Sequence, residues 1–241
     1  LSPSVDFGTV RTLKRNLLID FVTVLARLLT RHGNRLGAIF YSGKVEGIVP
    51  AQGGKAQVLR LINDLLAQPK AEHTPMTDLT PLLETALNVI RRRSLVFVIS
   101  DFFSAPGWDR PLGMLARRNE VLAVRLYDPH EIDLPDIGPV IMEDAETGEQ
   151  LYINTHDKSF RKRFGEAARK REHELDVTFG RAGVEVLPLS TEGDMVKDIV
   201  RFARLRKQRK LSPASFAKSN PSRPPFADSL IRGVEHAVSV A

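Results

Sequence analysis

The sequence predicts an α/β fold, a mostly parallel sheet flanked by helices. Three observations carry this. Apolar runs of strand length alternate along the chain with amphipathic stretches of helix length. One of the runs, SLVFVI at 94–99, is continuous in apolar residues, as a strand buried on both faces is, and VLAVRLY at 121–127 is the next strand. A loop and a short helical stretch separate those two runs, which is the crossover that a parallel pair needs.

Each element follows from local pattern. Residues 13–31 read as a helix, because Leu17, Leu18, Phe21, Val24, Leu25, Leu28 and Leu29 recur at helical spacing and Gly33 stops it. LGAIFY at 36–41 is a short strand, 42–44 a turn, and 45–49 a returning edge strand. Residues 56–67 form a second amphipathic helix that ends before Pro69, and 68–76 a polar loop. Thr80 as N-cap and Pro81 at the first helical position predict a third helix reaching about residue 92.

After the strand at 94–99 come a loop at 100–107, a short helix at 109–118 and the strand at 121–127. Residues 128–154 break this rhythm with Pro129, Pro135 and Pro139. They then predict a hairpin of 140–142 against 150–153, turning at Glu146-Thr147-Gly148. A long charged helix at 157–181 carries Phe160, Phe164, Ala168 and Leu175 on one side. VEVLPL at 184–189 is the last strand and 194–208 the last helix, basic at its end. The predicted domain spans 1–210. Residues 211–241 form a tail, Ser/Pro-rich and flexible through 226, with a short helix expected at 228–240.

Composition narrows the function classes. No run approaches the ~20 apolar residues of a membrane span. The chain of 241 residues has no cysteine, so it holds neither disulfides nor thiolate metal sites of its own. This is in keeping with a reducing compartment. The net charge of +6 is spread over short clusters at 91–93, 161–163, 169–171 and 201–210. Mixed-sign helix faces account for most of them, and no nucleic-acid motif accompanies the charge.

Ligands of open parallel sheets bind at the carboxyl ends of the strands. The strand at 94–99 is followed there by Ser100 and Asp101, and the strand at 121–127 by Asp128. Thr77 and Asp78 lie in the loop entering the third helix, and Ser2 and Ser4 open the chain. These oxygen donors suit a hard cation such as Mg²⁺ rather than zinc. Singly each has a plain alternative: Asp101 as a loop residue, Thr77 as a local cap, Ser2 and Ser4 as an irregular start. Rival motifs fail. The stretch from Gly37 to Lys44 has the wrong glycine spacing for a P-loop, and Val45 stands where Ser or Thr is needed. No GxGxxG or GxSxG occurs, the six histidines form no HxxxH pair, and no nucleophile–base pair stands out.

Ser2-Pro3-Ser4, then Thr77, then Ser100-Asp101, in that order on an α/β chain, resembles the von Willebrand factor A domain. The adhesion site of that domain reads Asp-x-Ser-x-Ser, then Thr, then Asp. The chain is closer still to a bacterial branch, the domain-of-unknown-function 58 proteins, encoded beside MoxR-type AAA+ ATPases. SPSVDFGT, RLGAIFYSG, TDLTPLLETAL, RRRSLVFVISDFF, EVLAVRLYDPHEIDLPDIGPV and AETGEQ carry the likeness, over residues 1–207.

The resemblance implies a Rossmann-like sheet and a metal site of Ser2, Ser4, Thr77 and Asp101 that holds Mg²⁺ or Mn²⁺. It implies a partner protein that completes the site with a carboxylate, a MoxR-type ATPase or its client. It implies a cytoplasmic, non-enzymatic, chaperone-like or assembly role, with membrane association through upstream segments. The family's first Asp would fall at residue 0, and Asp6 is on the wrong side to replace it. The first central strand is therefore expected to be missing. A chain lacking it is expected to be marginal in stability, melting below ~60 °C, since one strand buries several side chains at about 1.5–3 kcal/mol each. For Asp128 a structural role is expected. Two other readings stand beside this one: a Mg²⁺-dependent phosphoryl-transfer or hydrolytic enzyme using Asp101 and Asp128, and a basic nucleic-acid or membrane-surface binder working through 201–210.

Overall fold

The computed structural model describes residues 13–68, 77–143 and 150–211. Their elements run α1 (Lys14–Arg31), β1 (Leu36–Tyr41), β2 (Val45–Gln52), α2 (Lys55–Leu66), α3 (Thr80–Val89), β3 (Leu95–Ser100) and α4 (Asp109–Arg118). Then come β4 (Glu120–Tyr127), a 3₁₀ turn (Pro129–Glu131), β5 (Pro139–Glu143), β6 (Gln150–Asn154), α5 (Lys158–Ala182), β7 (Glu185–Ser190) and α6 (Met195–Leu211). Strands β3, β4 and β7 form a parallel sheet with β4 in the middle, while β1–β2 and β5–β6 are antiparallel hairpins. The expected mixed fold, a parallel sheet flanked by helices, is present.

Alternation along β4 explains why helices cover both faces. Leu122, Val124 and Leu126 pack on one side with Leu17, Leu18 and Phe21 of α1 and Ile199 of α6. Val121 and Ala123 pack on the other with Leu83 of α3, Leu112 and Leu115 of α4, and Phe179 of α5. Side chains of this size contribute about 1.5–3 kcal/mol each when fully buried. Every residue of β4 between its first and last is buried, whereas β3, with β4 on one side only among the described strands, is mostly half-buried.

Caps and ion pairs fix the longer helices. Asp157 accepts from the amides of Ser159 (2.8 Å) and Phe160 (3.2 Å) at the start of α5. Gly183 closes the same helix at φ 67°, a left-handed position that glycine takes without strain. Arg206 of α6 is buried. It pairs with Glu120 at the start of β4, and its Nε lies 2.6 Å from Glu185 Oε2 at the start of β7. The last helix is thereby tied to the amino edge of the sheet.

Three sequence expectations need correction. Thr80 is not the N-cap of α3: that position is Leu79, which caps with no side chain. Asp78 Oδ1 accepts instead from the Thr80 amide, at 2.8 Å. Helix α3 ends at Val89 rather than near 92, because Ile90 turns extended (φ −81°, ψ 95°) toward β3. Strand β2 runs on to Gln52, past the expected end at 49, because β1 pairs with it over its whole length. Ser2, Ser4, the 146–148 turn and the tail from 212 lie outside the described residues.

Candidate functional site

Parallel strands end on one edge, and here that edge gathers the polar residues. Ser100 pairs with Arg125, and Tyr127 pairs with Ser190. Asp101, Asp128 and Thr191 therefore leave the three strands side by side. All three are buried, at 2%, 0% and 5% exposure, which polar groups tolerate only with partners.

Asp101 is held by its own loop. Its Oδ1 accepts from the Phe103 amide at 3.2 Å, and Ser100 Oγ accepts from the Phe102 amide at 3.0 Å. Phe102 takes φ 60°, uncommon for a residue with a Cβ. Its ring sits between Trp108 (5.5 Å) and Phe179 (4.8 Å), a packing that holds the backbone there. The next loop is stitched to this one. Ala105 donates to Thr77 O at 2.9 Å, and the Leu79 amide donates to Ser104 Oγ at 3.0 Å. The structure thus brings the buried Thr77 and Asp101 to the same edge, on adjoining loops.

Asp128 is engaged by the groups around it. It accepts from the His130 amide at 2.9 Å and from Thr191 Oγ1 at 2.8 Å, and it lies 3.0 Å from His130 Nδ1. Glu131 returns the favour by accepting from the Asp128 amide at 3.2 Å, which completes a capping box around the 3₁₀ turn.

The residue that the sequence reading missed is Lys14, the first of α1. Its side chain is 0% exposed, with Nζ 3.4 Å from Asp101 Oδ2 and paired to Glu131 Oε1. The same ammonium stands 5.3 Å from the centre of the Phe103 ring, and the Arg171 guanidinium 4.2 Å from that ring. Burial raises the Glu131 carboxyl above its ordinary value, against the pull of Lys14. Burial also lowers the Arg171 guanidinium. A capping-box pattern, Asp128-Pro129-His130-Glu131, could have pointed to Glu131. No local pattern announces a buried lysine.

A metal was expected on Ser2, Ser4, Thr77 and Asp101. Among the described residues no three or more His, Asp or Glu side chains converge as metal ligands do. Thr77 and Asp101 are the described half of that set, and Asp101 Oδ2 faces an ammonium. The described residues by themselves do not fit a divalent ion.

A second feature adjoins the edge. Helix α5 has 25 residues, about 37 Å, against about 20 Å for the six residues of β7 that follow it. Its first turns therefore reach beyond the carboxyl edge of the sheet, and the β5–β6 hairpin immediately precedes them in the chain. Thr155 roots the hairpin by donating to Gly138 O (2.7 Å) and accepting from the Ile137 amide (2.9 Å). The hairpin and its root expose Ile137 (66%), Ile141 (66%), Leu151 (59%) and Tyr152 (70%).

These features define an α/β domain with a polar carboxyl edge and an apolar hairpin beside it. The chain belongs to the family described as "Protein of unknown function DUF58", whose model matches residues 1–174. It is 34% identical over 212 residues to the uncharacterized protein Rv1480 of Mycobacterium tuberculosis, covering 88% of this chain and 67% of that one. It is 36% identical over 164 residues to the uncharacterized protein MAV169 of Mycobacterium avium, covering 68% of this chain and 96% of that one. Among solved structures it resembles an aerotolerance-related membrane protein from Bacteroides fragilis, with TM-score 0.55 and 10% identity over 87% of this chain and 95% of that one. It also resembles the conserved hypothetical protein BatB from Bacteroides thetaiotaomicron, with TM-score 0.52 and 12% identity over the same shares of the two chains. At such identities the likeness speaks for the fold alone. Among the described residues, no helix is long and apolar enough to cross a membrane.

Proposed function

We propose that the chain is a non-enzymatic protein-interaction domain, with the carboxyl edge of the sheet and the β5–β6 hairpin as its recognition surface. The observation that carries this is the hairpin, which pairs with no other described strand and exposes Ile141, Leu151 and Tyr152. Ile141 and Tyr152 share one face of the hairpin and Leu151 lies on the other, and large apolar side chains exposed together mark contact sites for partners. The acidic groups of the edge fit the same reading, since Asp101 and Asp128 are both engaged with neighbouring groups of the chain. In its fuller form the proposal names the partner, a MoxR-type AAA+ ATPase or that ATPase's client, in a chaperone-like or assembly role. It places the domain on the cytoplasmic side, with membrane association through upstream segments.

A metal-mediated version is kept as a second reading because Thr77 and Asp101 lie on adjoining, hydrogen-bonded loops at one edge. Mg²⁺ or Mn²⁺ on Ser2, Ser4, Thr77 and Asp101 would then receive a carboxylate from the partner. This version requires Lys14 to withdraw from Asp101.

A pull-down of the cognate ATPase tests both. The proposal expects capture by the wild-type chain and loss with Tyr152→Glu. Equal capture by Tyr152→Glu and Asp101→Ala would sink the surface. Capture that EDTA abolishes and Mg²⁺ restores would favour the metal-mediated version.

A further inference from the structure

We propose that Lys14 is the resident cation of the sheet edge, a tethered ammonium standing where a divalent metal would otherwise neutralise Asp101 and Glu131. The argument starts from the cost of its placement. Removing an ammonium from water is expensive unless anions surround it, and Lys14 is 0% exposed. Among the described residues two carboxylates meet it, Asp101 and Glu131, with the Phe103 ring 5.3 Å away.

Helix energetics give no reason for a lysine at this position. A helix N-terminus carries partial positive charge and favours anions. Helix α1 opens with Lys14 and Arg15, has no acidic residue in its first turn, and is capped by no side chain. The lysine is thus placed against the preference of its own helix, and the carboxylates account for its position.

Charge counting gives the consequence. Among the described residues, Lys14 and Arg171 share the Phe103 ring beside Asp101 and Glu131, two positive groups against two negative ones, with Arg125 and Glu172 paired to each other next to them. A divalent ion added to this cluster would leave it with a net positive charge in a buried setting. Metal and Lys14 are therefore alternatives, and the folded domain needs no metal at this edge. The inference does not depend on which partner is bound.

Thermal melts of the wild-type chain, Lys14→Met and Lys14→Arg, each in EDTA and in millimolar Mg²⁺, test this. The wild-type midpoint is expected to ignore both additions. Lys14→Met is expected to melt about 10 °C lower, a buried pair having lost its cation. Mg²⁺ recovers part of that loss in Lys14→Met alone, and Lys14→Arg stays within a few degrees of wild type. A Lys14→Met chain that melts like wild type, or that ignores Mg²⁺, overturns the assignment. So does a wild-type midpoint that Mg²⁺ raises as far as the variant's. Should Lys14→Met fail to fold, the triple variant with Asp101→Asn and Glu131→Gln, which removes the anions with the cation, is expected to fold, and its failure also overturns the assignment. Loss of ATPase capture with these melts as expected would sink the interaction proposal and leave Lys14 in its role.

Discussion

Lys14 Nζ and Asp101 Oδ2 lie 3.4 Å apart across 87 residues of sequence, with both side chains closed to solvent. The two ends of the pair are not equivalent. Lys14→Met takes the ammonium from two carboxylates, whereas Asp101→Asn leaves the ammonium with Glu131. Urea denaturation is expected to show a loss of about 3–5 kcal/mol for Lys14→Met and about 1–3 kcal/mol for Asp101→Asn. The double variant should lose less than the sum, with a coupling of about 0.5–3 kcal/mol. Strict additivity would mean that the pair contributes nothing as a pair.

Stability should respond to pH with opposite signs at two carboxylates. Burial raises Glu131, and the hydrogen bonds from Ser159 and Phe160 lower Asp157. A raised folded-state value gives stability that is full below the ordinary 4.5 and is lost as pH climbs through the folded value. A lowered value gives stability that is full above the ordinary 3.8 and is lost as pH falls through the folded value. Denaturation at stepped pH should therefore show Asp157→Ala below wild type near neutrality, with the gap closing in acid. Glu131→Gln should shift in the variant's favour as pH rises from acid to neutral. Gaps that stay flat across this range would contradict both assignments.

How much of this was readable beforehand differs between fold and site. Strand β1 and helix α4 fall where the pattern put them, because LGAIFY and the stretch 109–118 carry their own boundaries. The end of α3 did not: Ile90 and the arginines at 91–93 suit a helix, yet the chain must already be extended to enter β3 at Leu95. At the site, Asp101 and Asp128 were legible because carboxyl ends of parallel strands are where polar residues gather. Lys14 was hidden. A lysine at the head of an amphipathic helix reads as solvated, and only the fold brings Asp101 and Glu131 to it.

Gly37 sits in β1 where the register shifts between Leu36 and Ala38. A Cβ there would lie 2.8 Å from Val49 O and 3.0 Å from Ala51 N, both backbone atoms of the paired strand. Gly37→Ala must push β1 and β2 apart, at a cost of about 1–3 kcal/mol. Gly47, in the same hairpin, would meet only the Phe40 ring, at 3.8 Å. Gly47→Ala should be neutral, or gain up to about 1 kcal/mol by stiffening the unfolded chain. Equal losses for the two in chemical denaturation would refute the close-approach explanation.

Ile141 and Tyr152 face each other directly across β5 and β6, and both are largely exposed. Little folding energy can reside in them. Surface changes away from caps, cores and networks usually stay within about 0.5 kcal/mol. Ile141→Lys and Tyr152→Glu should therefore melt like wild type. Binding is where they should differ. Tyrosine is enriched among the few residues that dominate contact energies when a partner covers them. Either charge would then be buried unpaired, and affinity for the proposed ATPase should fall at least tenfold, about 1.4 kcal/mol or more. Leu151→Lys, close by at 59% exposure, extends the test along the same hairpin. Unchanged melting with unchanged binding in all three variants would remove the hairpin from the recognition surface. Unchanged melting with lost binding would fix its place there.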